Sequence, residues 1–218
     1  MIKIEKLTKI FYKNSKEIYA LKDIDLLINS GEFISIMGSS GSGKTTLLFS
    51  IAGLIKPASG SIHIDDTPIF NITRRERARL RALKIGFVFQ LFYLVPYLTA
   101  MENVLLPFLA KKNDPDAINK ARRALERVGL QSRLDHKPEE LSVGERQRVG
   151  IARALVTGPR IILADEPTGN LDTENTAIVL KYLKEINQEG VTVVLTTHGP
   201  QVSQQVSRQV KLENGTIV

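Results

Sequence analysis

The chain contains no cysteine, which excludes disulfides and thiolate metal sites. It also lacks any apolar run near the roughly 20 residues that a membrane span requires. The longest apolar stretches, such as Ile161–Ala164 and Val193–Leu195, are only strand-sized. The first residues, Met1-Ile2-Lys3-Ile4-Glu5, alternate charge and apolarity and hold no apolar signal-peptide core. These absences predict a cytoplasmic protein. Internal repeats, low-complexity tracts and the usual DNA- and RNA-binding motifs are missing too, so no nucleic acid is expected as a partner. What is present is 218 residues, about the size of one large domain or two small ones, with a hydrophobic fraction of 43%, enough for an ordinary core.

The formal net charge is +7, a balance that suits polyanions such as nucleotide phosphates, anionic headgroups or nucleic acid. Arg74, Arg75, Arg77, Arg79, Arg81 and Lys84 cluster in one short stretch. Such a run reads first as a solvated helix face.

Periodicity divides the chain. Strands are predicted over Ile2–Leu7, Ala20–Ile28, Glu32–Met37 and Ser61–Asp65, and a helix over Thr45–Ala52. The middle turns helical over Arg74–Leu83, Asp116–Val128 and Glu145–Val156. In the second of these, Ile118, Ala121, Leu125 and Val128 recur at helical spacing. Arg160–Ala164 and Val191–Thr197 read as buried parallel strands, with a helix over Thr173–Asn187 capped by Asp172 between them. Asn214-Gly215 marks a hairpin within Val210–Val218. The pattern predicts an α/β core interrupted by a helical segment over about residues 90–157.

Chemistry is concentrated at a few places. Gly38-Ser39-Ser40-Gly41-Ser42-Gly43-Lys44-Thr45 fits the phosphate-binding P-loop, between a strand and a helix as that motif requires. Its glycines let the backbone N–H groups converge on phosphate, and the helix adds its positive N-terminal end. Lys44 reaches the terminal phosphates and Thr45, followed by Thr46, offers a hydroxyl to Mg²⁺. Asp165 and Glu166 follow the apolar strand Ile161–Ala164. Adjacent carboxylates at that place are costly unless they serve a cation or a proton. Asp165 suits the metal shell and Glu166 the attacking water.

The segment Leu141-Ser142-Val143-Gly144-Glu145-Arg146-Gln147-Arg148 resembles the LSGGQ signature of the ABC ATPases. The rest of that family's series follows in order. Gln90 after Gly86-Phe87-Val88-Phe89 is similar to the Q-loop glutamine, and Asp165-Glu166-Pro167-Thr168 to the Walker B end. Gly169-Asn170-Leu171-Asp172 is similar to the D-loop and His198 to the switch histidine. Phe11, with Tyr12 as a rival, stands where the family stacks an aromatic on adenine. The resemblance spans the whole chain, residues 1–218. It implies a single ATPase domain with a P-loop core and an N-terminal antiparallel β subdomain (residues 1–89 and 158–218). A helical signature subdomain is inserted over residues 90–157.

The resemblance further implies ATP and Mg²⁺ as cofactors, with Thr45, Gln90 and Asp165 as metal ligands. Glu166, His198, Gln90 and Lys44 would be catalytic. A second copy of the chain would pack head to tail, presenting Ser142 and Gly144 to the nucleotide bound by the first, with Asp172 nearby. A separate transmembrane permease would dock on the apolar segment Leu91–Leu98 and hold the ATPase at the inner face of the membrane. The D-loop, the run before Gln90 and the ending soon after the hairpin resemble the branch that serves lipoprotein release and macrolide efflux. A soluble ABC ATPase acting on DNA or ribosomes, or a slow regulatory ATP-binding module, are the other classes the motifs admit. Three residues depart from the pattern: Val143 for the first signature glycine, Glu145 for glutamine, and Gly199 for the aspartate after the histidine. The last implies a looser histidine and slower hydrolysis.

Overall fold

The structure is a computed structural model and describes residues 1–110, 114–199, 202 and 205–218. Two sheets organise it. The first is a four-stranded antiparallel sheet in the order β2-β1-β4-β5, with β1 (Ile2–Lys13), β2 (Lys16–Ile28), β4 (Ser59–Ile64) and β5 (Thr67–Pro68). The second has six strands in the order β10-β9-β3-β8-β7-β6. Here β3 (Phe33–Met37), β6 (Ile85–Phe89), β7 (Ile161–Asp165), β8 (Thr192–Thr197) and β9 (Arg208–Glu213) run parallel, and β10 (Thr216–Ile217) returns antiparallel.

β3, β7 and β8 in the middle of the six-stranded sheet are buried on both faces, which explains why they read as short, mostly apolar runs without alternation, whereas β9 alternates buried and exposed residues. Ile161 and Leu163 face one core, shared with α1 (Lys44–Ile51) and the antiparallel sheet. Ile162 and Ala164 face the other, filled by α3 (Ala100–Leu105), α4 (Ala117–Arg127), α5 (Val143–Leu155) and α6 (Thr173–Gln188). The helices start where capping chemistry allows. Thr73, Thr99 and Ser142 form reciprocal capping boxes with Glu76, Glu102 and Glu145 at the heads of α2 (Arg74–Lys84), α3 and α5. No helix among the described residues is long and apolar enough to cross a membrane.

Several elements differ from expectation. β1 runs on past Leu7 to Lys13, and three register shifts after Ile4 break the period-two alternation by which a sequence pattern is read. β6 follows α2 without an intervening turn, so no punctuation announces it. The α3 helix was not expected, although Thr99 and Glu102 carry its capping signal. On α4, Ile118 is 61% exposed, and Ala124 takes its place beside Ala121, Leu125 and Val128 in the core. The α2 helix buries no residue, in line with a solvated face. Arg77 lies over the Phe70 ring and Lys84 pairs with Asp65.

The hairpin turn between β9 and β10 braces the phosphate-loop segment. The Gly215 N–H donates to the Ser42 carbonyl at 3.0 Å, and the Gly215 carbonyl accepts from the Lys22 N–H at 2.8 Å. Gly215 has φ 79°, and a Cβ there would stand 2.9 Å from the Ala20 carbonyl oxygen. Gly215→Val is expected to cost about 2 kcal/mol, lowering the melting temperature by roughly 4–8 °C. It is also expected to weaken ATP binding, which a thermal melt with and without nucleotide would register.

Candidate active site

The loop after β3 is held in place by its glycines. Gly43 has φ 104°, and a Cβ there would collide with the Ala20 carbonyl. Lys44 opens α1 and is 5% exposed. Its ammonium donates to the Gly38 and Ser39 carbonyls at 2.8 and 3.0 Å and lies 3.5 Å from Glu166 Oε1. Ser42 is buried, with a hydroxyl that finds no partner among the described residues.

The parallel pairing of β7 with β8 sets Asp165 beside Thr196. The Thr196 hydroxyl donates to Asp165 Oδ1 at 2.7 Å and accepts from the Glu166 N–H at 3.0 Å. The Thr45 hydroxyl donates to the same Asp165 oxygen at 3.1 Å. Glu166 itself has φ 43°, a left-handed conformation that a side-chain-bearing residue holds only when its surroundings impose it. That backbone turn aims the carboxylate between Lys44 and His198, with Oε1 toward the ammonium and Oε2 at 3.3 Å from His198 Nδ1. His198 is 63% exposed, and the Gly199 N–H beyond it donates to the Thr197 hydroxyl.

A cleft of ≈ 560 Å³ joins these groups, within the size range of small-molecule sites. Lys44, Thr45, Thr46, Gln90, Asp165 and Glu166 line it, with Ser40, Gly41 and Gly43 from the loop. Phe11 lines its edge, whereas Tyr12 is not part of the lining and its hydroxyl donates to Glu17. Phe11 is 42% exposed, so it is not core packing. Gly38, Ser39 and His198 line a neighbouring cavity. Gln90 is steadied from the other side, its carbonyl accepting from Asn170 Nδ2 at 3.2 Å.

Ser142, Gly144 and Asp172 are not among the residues lining this cleft. Ser142 and Asp172 cap α5 and α6, and the Asn175 side chain, bonded to Asp172, covers Gly144 so closely that a Cβ would overlap it. Hydrogen bonds from the Ser142 backbone hold the Glu145 carboxyl below its ordinary pKa, and those from Asn175 do the same for Asp172. Val143 stands 42% exposed between them.

Three further residues support the site without a local signal. Thr196 holds the Asp165 carboxylate and the Glu166 backbone N–H. Gln147 is fully buried and donates to the Pro167 carbonyl at 2.6 Å, next to Glu166. Arg153 holds the chain just beyond Gln90. A polar residue inside a buried strand or on the buried face of a helix was the only hint of the first two.

A strand–loop–helix cradle with a buried lysine, a hydroxyl–carboxylate pair and a second carboxylate beside a histidine defines a P-loop nucleoside-triphosphate hydrolase. The family model described as ABC transporter matches residues 21–169. An ABC transporter ATP-binding protein of Methanocaldococcus jannaschii is 43% identical over 100% of this chain and 98% of its own length. The ABC transporter ATP-binding protein YvrO of Bacillus subtilis is also 43% identical, over 100% of this chain and 96% of its own. Among solved structures, a dimeric post-hydrolysis structure of the ATP-binding cassette MJ0796, bound to ADP and Pi, superimposes with a TM-score of 0.92. It is 42% identical, covering 100% of this chain and 96% of that one. The chain belongs to the ABC transporter family, as an ATP-binding subunit that hydrolyses ATP to power a transporter.

Proposed function

We propose that this cleft hydrolyses ATP with Mg²⁺, with Glu166 as the group that polarises the attacking water. The observation that carries the reading is the placement of Glu166 between Lys44 and His198, one residue after a carboxylate that shares a hydrogen bond with the P-loop threonine. The convergent oxygens of Thr45 and Asp165, with the Gln90 amide in the same cleft, fit Mg²⁺, which prefers one or two protein oxygens besides phosphates and water. When bound, the ion neutralises charge on the terminal phosphates. The Lys44 ammonium and the loop N–H groups bind the phosphates, and Phe11 stacks on the adenine. Gln90 and His198 orient the water from which Glu166 draws a proton.

The signature residues belong to a second subunit's site in this reading. Ser142 and Gly144 lie outside the cleft of their own chain, and the similar cassette is dimeric, which supports a head-to-tail homodimer with ATP between the subunits. A transmembrane permease docks on the segment 91–98, where Leu91, Tyr93 and Tyr97 are 61%, 62% and 75% exposed. It holds the subunit at the inner face of the membrane. The branch serving lipoprotein release and macrolide efflux is the best fit, with export or mechanical signalling as its output. The Glu166→Gln variant is expected to elute as a dimer with MgATP and as a monomer without it, by light scattering. Membranes of the host would then yield a permease on affinity isolation. A protein that stays monomeric in saturating MgATP would rule out the head-to-tail arrangement.

A further inference from the structure

The segment after Gln90 does not rest in a conformation of its own choosing. Phe92 and Tyr93 have φ 58° and 45°, two consecutive left-handed residues with side chains. Two clamps hold the segment. Asn103 of α3, fully buried, accepts from the Val95 N–H at 2.8 Å, and its amide donates to the Val95, Leu98 and Thr99 carbonyls. Upstream, Arg153 of α5 donates from one guanidinium nitrogen to the Tyr93 carbonyl at 2.6 Å and from another to the Phe92 carbonyl at 2.5 Å. With those carbonyls held, the Tyr93 ring packs edge-on against Phe89, at 5.1 Å between centroids.

Arg153 is an unusual choice for this task. It is partly buried, and its side-chain partners among the described residues are two neutral carbonyls and no carboxylate. Burial alone lowers its pKa from the ordinary guanidinium value. What a guanidinium supplies here is a rigid fork that reaches two convergent carbonyls at once, which a lysine ammonium does not.

The same helix carries two other contacts. Its N-cap is Ser142, and one turn further Gln147 grips the Pro167 carbonyl beside Glu166. At 1.5 Å per residue, the span from Ser142 to Arg153 is roughly 16 Å of continuous helix. We propose that Arg153 is a positioning residue that couples the docking surface at Phe92–Tyr93 to α5, so that nucleotide engaged at the Ser142 end changes the shape presented to the permease. This rests on the reading of Ser142 as a contact to the partner's ATP and of 91–98 as the docking segment. A shift of α5 drags the two carbonyls, and the left-handed pair relaxes or tightens as the fork moves. The buried Asn103 clamp leaves the downstream half of the segment in place.

The test is hydrogen–deuterium exchange of residues 91–98 in the Glu166→Gln protein, with and without MgATP, alongside light scattering. The Glu166→Gln protein is expected to dimerise and to change its exchange at Phe92–Tyr93 on adding nucleotide. Adding Arg153→Leu is expected to remove that change while ATP-dependent dimerisation persists. Arg153→Lys, which keeps the charge and safeguards folding, is expected to reduce it by more than half. A full nucleotide-dependent change in both Arg153 variants would overturn the proposal. So would a dimerising Glu166→Gln protein with no response at 91–98. Failure to dimerise at all would overturn the head-to-tail reading together with it, and light scattering separates that case from the other two.

Discussion

The Glu166→Gln variant is expected to hydrolyse ATP about 10²- to 10⁴-fold more slowly than the parent, with ATP affinity little changed. Glutamine keeps the shape of the side chain and can occupy the same left-handed backbone position, whose N–H stays bonded to the Thr196 hydroxyl. What it loses is the capacity to take a proton from water. The carboxylate is well placed for that step: Lys44 lies 3.5 Å from one oxygen and His198 3.3 Å from the other. His198→Ala removes one side of this arrangement only, and the histidine is 63% exposed. Its expected loss is accordingly smaller, about tenfold. Phosphate release under saturating MgATP, with fluorescent-nucleotide binding measured beside it, checks both variants. Parental turnover in Glu166→Gln would place the proton acceptor elsewhere.

Lys44→Ala is expected to lose both binding and turnover, in contrast to the loss of turnover alone at Glu166. The ammonium is 5% exposed, bonded to the Gly38 and Ser39 carbonyls and close to Glu166, so its charge sits where terminal phosphates would lie. Removing one such preorganised charge costs about 10²- to 10³-fold in kcat. The same deletion leaves Glu166 without a cationic neighbour on one side. Lys44→Arg is no remedy, since a planar fork does not fit a cradle shaped around a point charge. Isothermal titration with ATP and a steady-state phosphate assay read the two losses separately. Wild-type affinity in Lys44→Ala would contradict the phosphate-cradle assignment.

Much of this protein could be read along the chain because its chemistry is local. The phosphate loop, the strand before it and the helix after it occupy contiguous residues. Asp165 and Glu166 are adjacent, and the buried parallel strands announce themselves as short apolar runs. The Asn214-Gly215 turn was legible for the same reason, since both residues take the positive φ that its type demands. Reading stopped where local rules are broken or silent. Bulges hid the outer half of β1, which carries Phe11 to the cleft, and β6 begins without a turn to mark it. Phe92 and Tyr93 show no trace of a left-handed pair, because nothing in their own side chains asks for it; the guanidinium that holds their carbonyls lies on a distant helix. By itself, then, the sequence determined which groups are available and which element each one ends. Only the tertiary structure decided that Thr196 bonds the Asp165 carboxylate and the Glu166 backbone N–H, that Gln147 and Arg153 tie α5 to two loops, and that Gly215 braces Ser42. Those are single hydrogen bonds between segments far apart in the chain, and a hydrogen bond leaves no periodic pattern in a sequence; it exists only once packing has brought donor and acceptor within reach.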